Sequence, residues 1–287
     1  MSRPADGHGL DATQRARVEA WFPGGHEVVA DLSWGLVETV VLHLRTHCGD
    51  VLLKAAGAGD GHLRREVAGY RGFVGPWVAR GLAPRLLHAD VGARVLATTL
   101  LPGRLATATA SADDPAVHRQ AGAALALLHD QGGRVDELFE ARQVARCQEL
   151  LAGRHRIASD AVGRLEAWLD AYPAPPTTLV PTHGDFSPRN WLVDDAGVLR
   201  VIDLGRFDHR PRSSDLCRLH ARHWPSRPDL HAAFVEGYGD DPTRDAVWVS
   251  QRVREAVGTA VWAHRVGDEA FEGEGHAMIA RLLDDLG

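Results

Sequence analysis

Short alternating runs of apolar and polar residues crowd the first hundred positions, and longer helical periods take over after them. Glu27-Val28-Val29-Ala30-Asp31-Leu32 and Glu38-Thr39-Val40-Val41-Leu42-His43-Leu44 predict two strands, joined by Ser33-Trp34-Gly35-Leu36. A third strand, Val51-Leu52-Leu53-Lys54, follows the turn His47-Cys48-Gly49-Asp50. Leu63, Val67, Tyr70 and Phe73 then recur at helical spacing. A strand over 94–101 runs into the break Pro102-Gly103. Beyond the break, Val117, Ala121, Ala124, Leu125 and Leu128 share one face of a helix over 115–129, and further helix is expected over 136–171, 228–238 and 247–266. Residues 173–181 are proline-rich and predict a loop. One hairpin interrupts this half: Trp191-Leu192-Val193 and Val198-Leu199-Arg200-Val201-Ile202 around the turn Asp194-Asp195-Ala196-Gly197. No repeat or low-complexity tract is present.

The hairpin matters because of what flanks it. His183-Gly184-Asp185-Phe186-Ser187-Pro188-Arg189-Asn190 leads in, and Ile202-Asp203-Leu204-Gly205 leads out, so folding places Asn190 and Asp203 together at the open end. Phosphoryl transfer uses such a set: one carboxylate to orient a hydroxyl and accept its proton, and an amide plus a second carboxylate to hold magnesium. Asp-x4-Asn followed by an apolar-flanked Asp is the spacing of a kinase catalytic core.

A second feature points the same way. Of 32 basic residues only one is lysine, Lys54, at the end of the third predicted strand. A kinase needs an ammonium there to pair with the nucleotide's phosphates, held by a glutamate on the next helix. A guanidinium is wider and planar, and substitutes poorly for that point charge. Glu66, on the predicted helix 63–73, is the expected partner.

The run His183-Gly-Asp-x4-Asn with Ile202-Asp203 resembles the aminoglycoside phosphotransferase family, relatives of choline kinase whose fold is similar to that of protein kinases. The resemblance is strongest over 181–220. It implies an α+β, bilobal protein-kinase-like fold: a nucleotide-binding lobe over 1–101 with a small antiparallel sheet, and a mainly helical catalytic and substrate-binding lobe over 102–287. It further implies ATP and Mg2+ as cofactors, Asp185 as catalytic base, and Asn190 and Asp203 as metal ligands. Lys54, Glu66 and Ser33 would serve the nucleotide phosphates, and backbone groups of Thr99 and Leu101 the adenine.

Only eleven residues separate Asp203 from Asp215, too few for a peptide-docking segment, so the expected acceptor is a small hydroxylated molecule. Asp215 is expected to cap a helix and brace the catalytic loop. The first hundred residues hold ten acids against eleven bases and the rest twenty-eight against twenty-one, net +1 and −7. That asymmetry favours a cationic acceptor. Glu255, Asp268 and Glu272 are candidates to hold it, with Glu269 and Glu274 beside them. The family resemblance implies an antibiotic acceptor, an aminoglycoside or tuberactinomycin-type peptide, with resistance by inactivation. It also covers choline, homoserine, sugar and macrolide kinases. A catalytically inactive nucleotide-binding protein is the alternative from a different class.

Composition narrows the setting. Hydrophobic content of 45% and charged content of 24% are those of a globular chain. No basic stretch interleaved with aromatics suggests nucleic acid, and no apolar run suggests a membrane. Three widely spaced cysteines suit a reduced cytoplasm. No protein partner is evident.

Overall fold

A computed structural model describes residues 8–33 and 38–286. It opens with a helix that the sequence reading did not foresee, α1 (Ala12–Trp21). A capping box starts it: the Asp11 carboxylate accepts from Gln14 N–H, and the Gln14 side chain accepts from Asp11 N–H. Leu10, Val18 and Phe22 pack onto an antiparallel sheet of β1 (His26–Asp31), β2 (Val40–Thr46), β3 (Gly49–Ala55), β4 (Leu86–Asp90) and β5 (Val95–Thr99). The strand order is β1-β2-β3-β5-β4. β4 was also unforeseen. Between β3 and β4 lie α2 (His62–Gly72) and the short α3 (Gly75–Ala79).

The two-residue period of β3 decides where the lysine goes. Val51, Leu53 and Ala55 are buried on the face that carries α1, so Lys54 points to the other face. Leu96 lies opposite Lys54 on β5, and α2 seats Leu63 and Val67 against it. Lys54 and α2 therefore share one side of the sheet.

The remaining elements are β6 (Arg104–Leu105), α4 (Pro115–His129), β7 (Arg134–Asp136), α5 (Phe139–Leu151), α6 (Ser159–Ala171), β8 (Thr177–Thr182), β9 (Trp191–Val193), β10 (Leu199–Val201), β11 (Asp208–Arg210), α7 (Cys217–Arg222), α8 (Pro228–Tyr238), α9 (Trp248–Val266) and α10 (Glu269–Leu286). β10-β9-β6 and β11-β8-β7 form two three-stranded sheets. One core gathers Leu125 and Leu128 of α4 with Phe186, Trp191 and Phe234; a second joins α5 and α6 to α9 and α10.

Several expectations need correction. The helix over 136–171 is two helices, α5 and α6. The loop over 173–181 contains β8, whose Thr177, Thr178 and Val180 are β-branched. Pro181 is tolerated there because β7 pairs no further than Leu179, leaving Pro181 with one neighbour, His209. Asp215 lies within a 3-10 turn, Arg212–Leu216, and does not cap α7, whose N-terminus has no side-chain cap. α10 was missed because its acids drew attention ahead of its buried Gly275, Ile279, Leu282 and Leu283. Among the described residues, no helix is long and apolar enough to cross a membrane.

Candidate active site

The loop between β8 and β9 is held by a network of hydrogen bonds. Gly184 sits at φ +81°, and a Cβ there would run into the Arg206 carbonyl, so the position needs glycine. Asp215, fully enclosed, accepts from His183 N at 2.8 Å and Gly184 N at 2.6 Å. His129 Nε2 meets the same carboxylate at 3.2 Å. Burial works against the charge of Asp215, but His129 and the amides hold its carboxyl below the usual range. The ring of His183 spans the site: Nε2 donates to Ile202 O at 3.0 Å and Nδ1 accepts from Asp185 N at 3.2 Å. Asn190 Nδ2 donates to Asp185 O at 2.8 Å, and Ile202 N to Asn190 O at 3.0 Å. The loop and the mouth of the hairpin are thus one hydrogen-bonded unit.

Lys54 reaches into this unit from the other sheet. Its Nζ lies 2.7 Å from Glu66 Oε2 and 2.9 Å from Asp203 Oδ1. Burial would lower the lysine pKa, but the two carboxylates override it and hold the ammonium well above its ordinary range. Burial likewise opposes the charge of Asp203, yet Lys54 and Gly205 N–H hold its carboxyl far down. Asp203 carries φ +64°, a strained value for a non-glycine residue, closed by its 3.1 Å hydrogen bond from Gly205 N. α2 is clamped to the same segment. Phe207 packs against Gly69 and stacks on Phe73 with ring centroids 5.1 Å apart, and His62 Nδ1 lies 3.0 Å from Gly205 O.

Asp185 has a partner that the sequence reading missed. Arg218, buried on α7, donates from Nη1 to Asp185 Oδ1 and from Nε to Glu255 Oε1 at 2.8 Å. Arg189 Nε stands 3.7 Å from the second Asp185 oxygen. Burial opposes the charge of Glu255, but Arg218 and Arg254 hold its carboxyl down to about 2. In an arginine-rich chain nothing local distinguishes Arg218; its position three residues after Asp215 is the only signal, and it is weak.

The expected substrate carboxylates do not meet. Glu255 is committed to Arg218. Glu272 is buried beneath Arg156, which grips it through Nε at 3.0 Å and Nη2 at 2.5 Å. Asp268 accepts from Phe271 N at 3.0 Å as α10 begins. Glu272 lies 3.5 Å from His264, nine residues beyond Glu255 on α9. That separation is about 13 Å along the helix axis.

Among the expected nucleotide residues, Ser33 Oγ accepts from Val41 N at 3.0 Å. It therefore tethers the start of β2. Residues 34–37, most of the predicted connection between the first two strands, lie outside the described residues. Thr99 N donates to Arg85 O at 3.0 Å, while Leu101 N–H has no main-chain partner among the described residues. Two side-chain oxygens at the site carry no hydrogen bond. Asp203 Oδ2 accepts no hydrogen bond, and Asn190 turns its amide nitrogen to Asp185 O, leaving Oδ1 free. Both are hard donors of the kind magnesium takes.

A small antiparallel sheet carrying a lysine–glutamate pair, set on a helical body with a hairpin site, is the bilobal protein-kinase-like architecture. Residues 33–248 match the model of the phosphotransferase enzyme family, and the chain belongs to it. The fold is also that of a macrolide 2′-phosphotransferase from Brachybacterium faecium, at 20% identity and TM-score 0.58, covering 94% of this chain and 98% of that one. Choline kinase from Streptococcus pneumoniae shares it at 14% identity and TM-score 0.62, covering 94% and 97%. So does an aminoglycoside phosphotransferase solved with ADP and hygromycin B, at 13% and 0.68, covering 96% and 98%. No curated protein matches the chain.

Proposed function

We propose that this chain transfers the terminal phosphoryl group of ATP to a hydroxyl of a small molecule, with the reaction centred on Asp185. The observation that carries the reading is the meeting of Lys54 with Glu66 and Asp203 at 2.7 and 2.9 Å, beside a loop that fixes Asp185. Lys54 would pair with the nucleotide's phosphates, and the free N–H of Leu101 would face the adenine edge. The lobe boundary then falls near residue 101, after β5 and before β6 pairs with the catalytic hairpin. Asn190 and Asp203 would hold magnesium, which supplies charge neutralisation at the phosphates.

Arg218 limits how Asp185 can act. With Oδ1 taken by Arg218, Oδ2 is the oxygen left for the acceptor hydroxyl. The transition state of phosphoryl transfer is loose, and the acceptor's proton leaves late. Asp185 thus orients the hydroxyl first and takes its proton afterwards.

Glu255, Glu272 and Asp268, the carboxylates expected to hold a cationic antibiotic, are engaged by Arg218, Arg156 and the Phe271 amide. The reading is tested with ATP and a panel of hydroxylated small molecules, following ADP formation. Asp185→Asn should lower kcat by about two orders of magnitude, a typical loss for a positioned base, with ATP affinity unchanged. A variant keeping a quarter of wild-type turnover would remove Asp185 from the mechanism.

A further inference from the structure

Between α2 and α9, against the catalytic loop, lies a cavity of about 290 Å3. Arg65, Arg206, Arg210 and Arg254 line it with Gly184 and Ser214. Its one carboxylate is Glu255, already hydrogen-bonded to Arg218. Arginines are ordinary on a protein surface, but these are not arranged as solvated surface groups. Among the described residues, the side chains of Arg206 and Arg254 make no ion pair or hydrogen bond, and Arg254 Nε is fully enclosed. Arg65 Nε is enclosed without a partner as well. The nearest polar neighbour of its Nη2 is His62 Nδ1 at 3.3 Å, a nitrogen that already donates to Gly205 O. Arg210 is spent on neutral oxygens, Thr182 Oγ1 at 3.1 Å and Arg206 O at 3.0 Å, with exposed Asp208 at 3.7 Å. The Ser214 hydroxyl is buried and unpaired.

The cations also press on one another. Burial, and then neighbouring Arg254, pushes Arg210 down to about 10; burial, and then Arg218, lowers Arg206. The carboxylates nearest Arg206 and Arg254, Asp185 and Glu255, are already hydrogen-bonded to Arg218, so these crowded guanidinium groups keep unfilled donors, and their forks suit phosphate or carboxylate oxygens.

We propose that this cavity is an oxyanion site, in which Arg206, Arg210 and Arg254 hold a phosphate or carboxylate group borne by the acceptor. The inference rests on the phosphotransferase reading for the acceptor's role, because Gly184 places the cavity beside Asp185. It reverses the charge expected of the substrate from the −7 balance of residues 101–287. Several acids of that half are tied up in ion pairs, Glu272 with Arg156 and Glu255 with Arg218, and the local charge at the cavity is positive.

The test uses inorganic phosphate as probe, by calorimetric titration of the full chain. Wild type and Lys54→Met should bind it alike, since the cavity does not use Lys54. Arg254→Gln and Arg206→Gln, checked for an unchanged Tm, should bind it about ten-fold or more weakly, the loss of one charge-assisted contact. Absence of binding in wild type, or equal binding in both arginine variants, overturns the site. Magnesium–ATP binding measured on the same samples separates this result from the phosphotransferase reading, because it should survive in Arg254→Gln whichever way phosphate behaves. Matched acceptors, sugar phosphates against sugars and hydroxy acids against their amides, identify the source of the anion. ADP formation confined to the anionic members, with KM raised in Arg254→Gln and KM for ATP unchanged, supports the assignment. Turnover confined to uncharged or cationic members would make the cavity a site for free phosphate and overturn it.

Discussion

Replacing Asp215 by asparagine removes one charge and almost no volume, yet it should unseat the catalytic loop. Three donors converge on this carboxylate: His183 N and His129 Nε2 on Oδ2, and Gly184 N on Oδ1. An amide offers one oxygen and one NH2. If NH2 takes the Oδ2 position it faces His183 N–H; if it takes the Oδ1 position it faces Gly184 N–H. His129 can adapt by exchanging tautomers with the Tyr238 hydroxyl, 2.8 Å from its Nδ1, but a backbone N–H cannot. One charge-assisted hydrogen bond, about 1.5–3 kcal/mol, is lost, and one enclosed N–H is left unpaired at a similar cost, so unfolding free energy should fall by about 3–5 kcal/mol. Urea unfolding measures that term. The same loss frees the turn that aims Asp185, and a displacement of about 1 Å at a reacting group costs roughly a hundred-fold in rate. ADP formation under saturating ATP should show it, with KM for ATP little changed. A variant within 1 kcal/mol of wild type (about the size of a single ordinary hydrogen bond) and with unaltered kcat would refute the claim that Asp215 organises the loop.

Other substitutions probe separate parts of the account. Gly184→Ala should cost about 2–4 kcal/mol, combining a left-handed backbone with a clash on the Arg206 carbonyl, and should lower turnover in step with the loss of stability by thermal unfolding. Lys54→Arg should abolish ATP binding although charge is retained, because a planar guanidinium cannot sit between Glu66 and Asp203 as the ammonium does; ATP titration with unchanged affinity would contradict it. His220 is held down to about 4 by burial and then by Arg252, so the unfolded chain takes up a proton before the folded one does. Stability from this group is full above its unfolded pKa near 6.5 and is lost as pH falls towards 4, so wild type should lose about 1–2 kcal/mol more than His220→Gln between pH 7 and pH 5. Identical urea midpoints for the two proteins across that range would remove the effect.

The hairpin and the loop that leads into it were legible because their signal is local. His183, Asp185, Asn190 and Asp203 lie within twenty-one residues, and a strand–turn–strand pattern says how they fold together. Lys54 and Glu66 were legible for a different reason: a lone lysine at a strand end and a glutamate on the next amphipathic helix are unusual in this composition. The relay Asp185–Arg218–Glu255 was not legible, since its members stand thirty-three and thirty-seven residues apart and arginine is everywhere. For the same reason the cluster of Arg65, Arg206, Arg210 and Arg254 is invisible until α2 and α9 face each other. Charge counting cannot locate a site. A net −7 over residues 101–287 says nothing of which charges are paired, and Glu272 under Arg156 is one that is. α1 and α10 were lost because polar stretches at the two ends hid the few apolar positions that seat them.

Calorimetric titration of ATP into wild type and Asp203→Ala, each with and without magnesium, bears most directly on the claim that Lys54, Asn190 and Asp203 form one nucleotide site. Wild type should bind ATP tightly only when magnesium is present, and Asp203→Ala should lose that magnesium-dependent affinity by about ten-fold or more, as expected for removal of a hard carboxylate ligand. Equal affinity of the two proteins for magnesium–ATP would contradict the account.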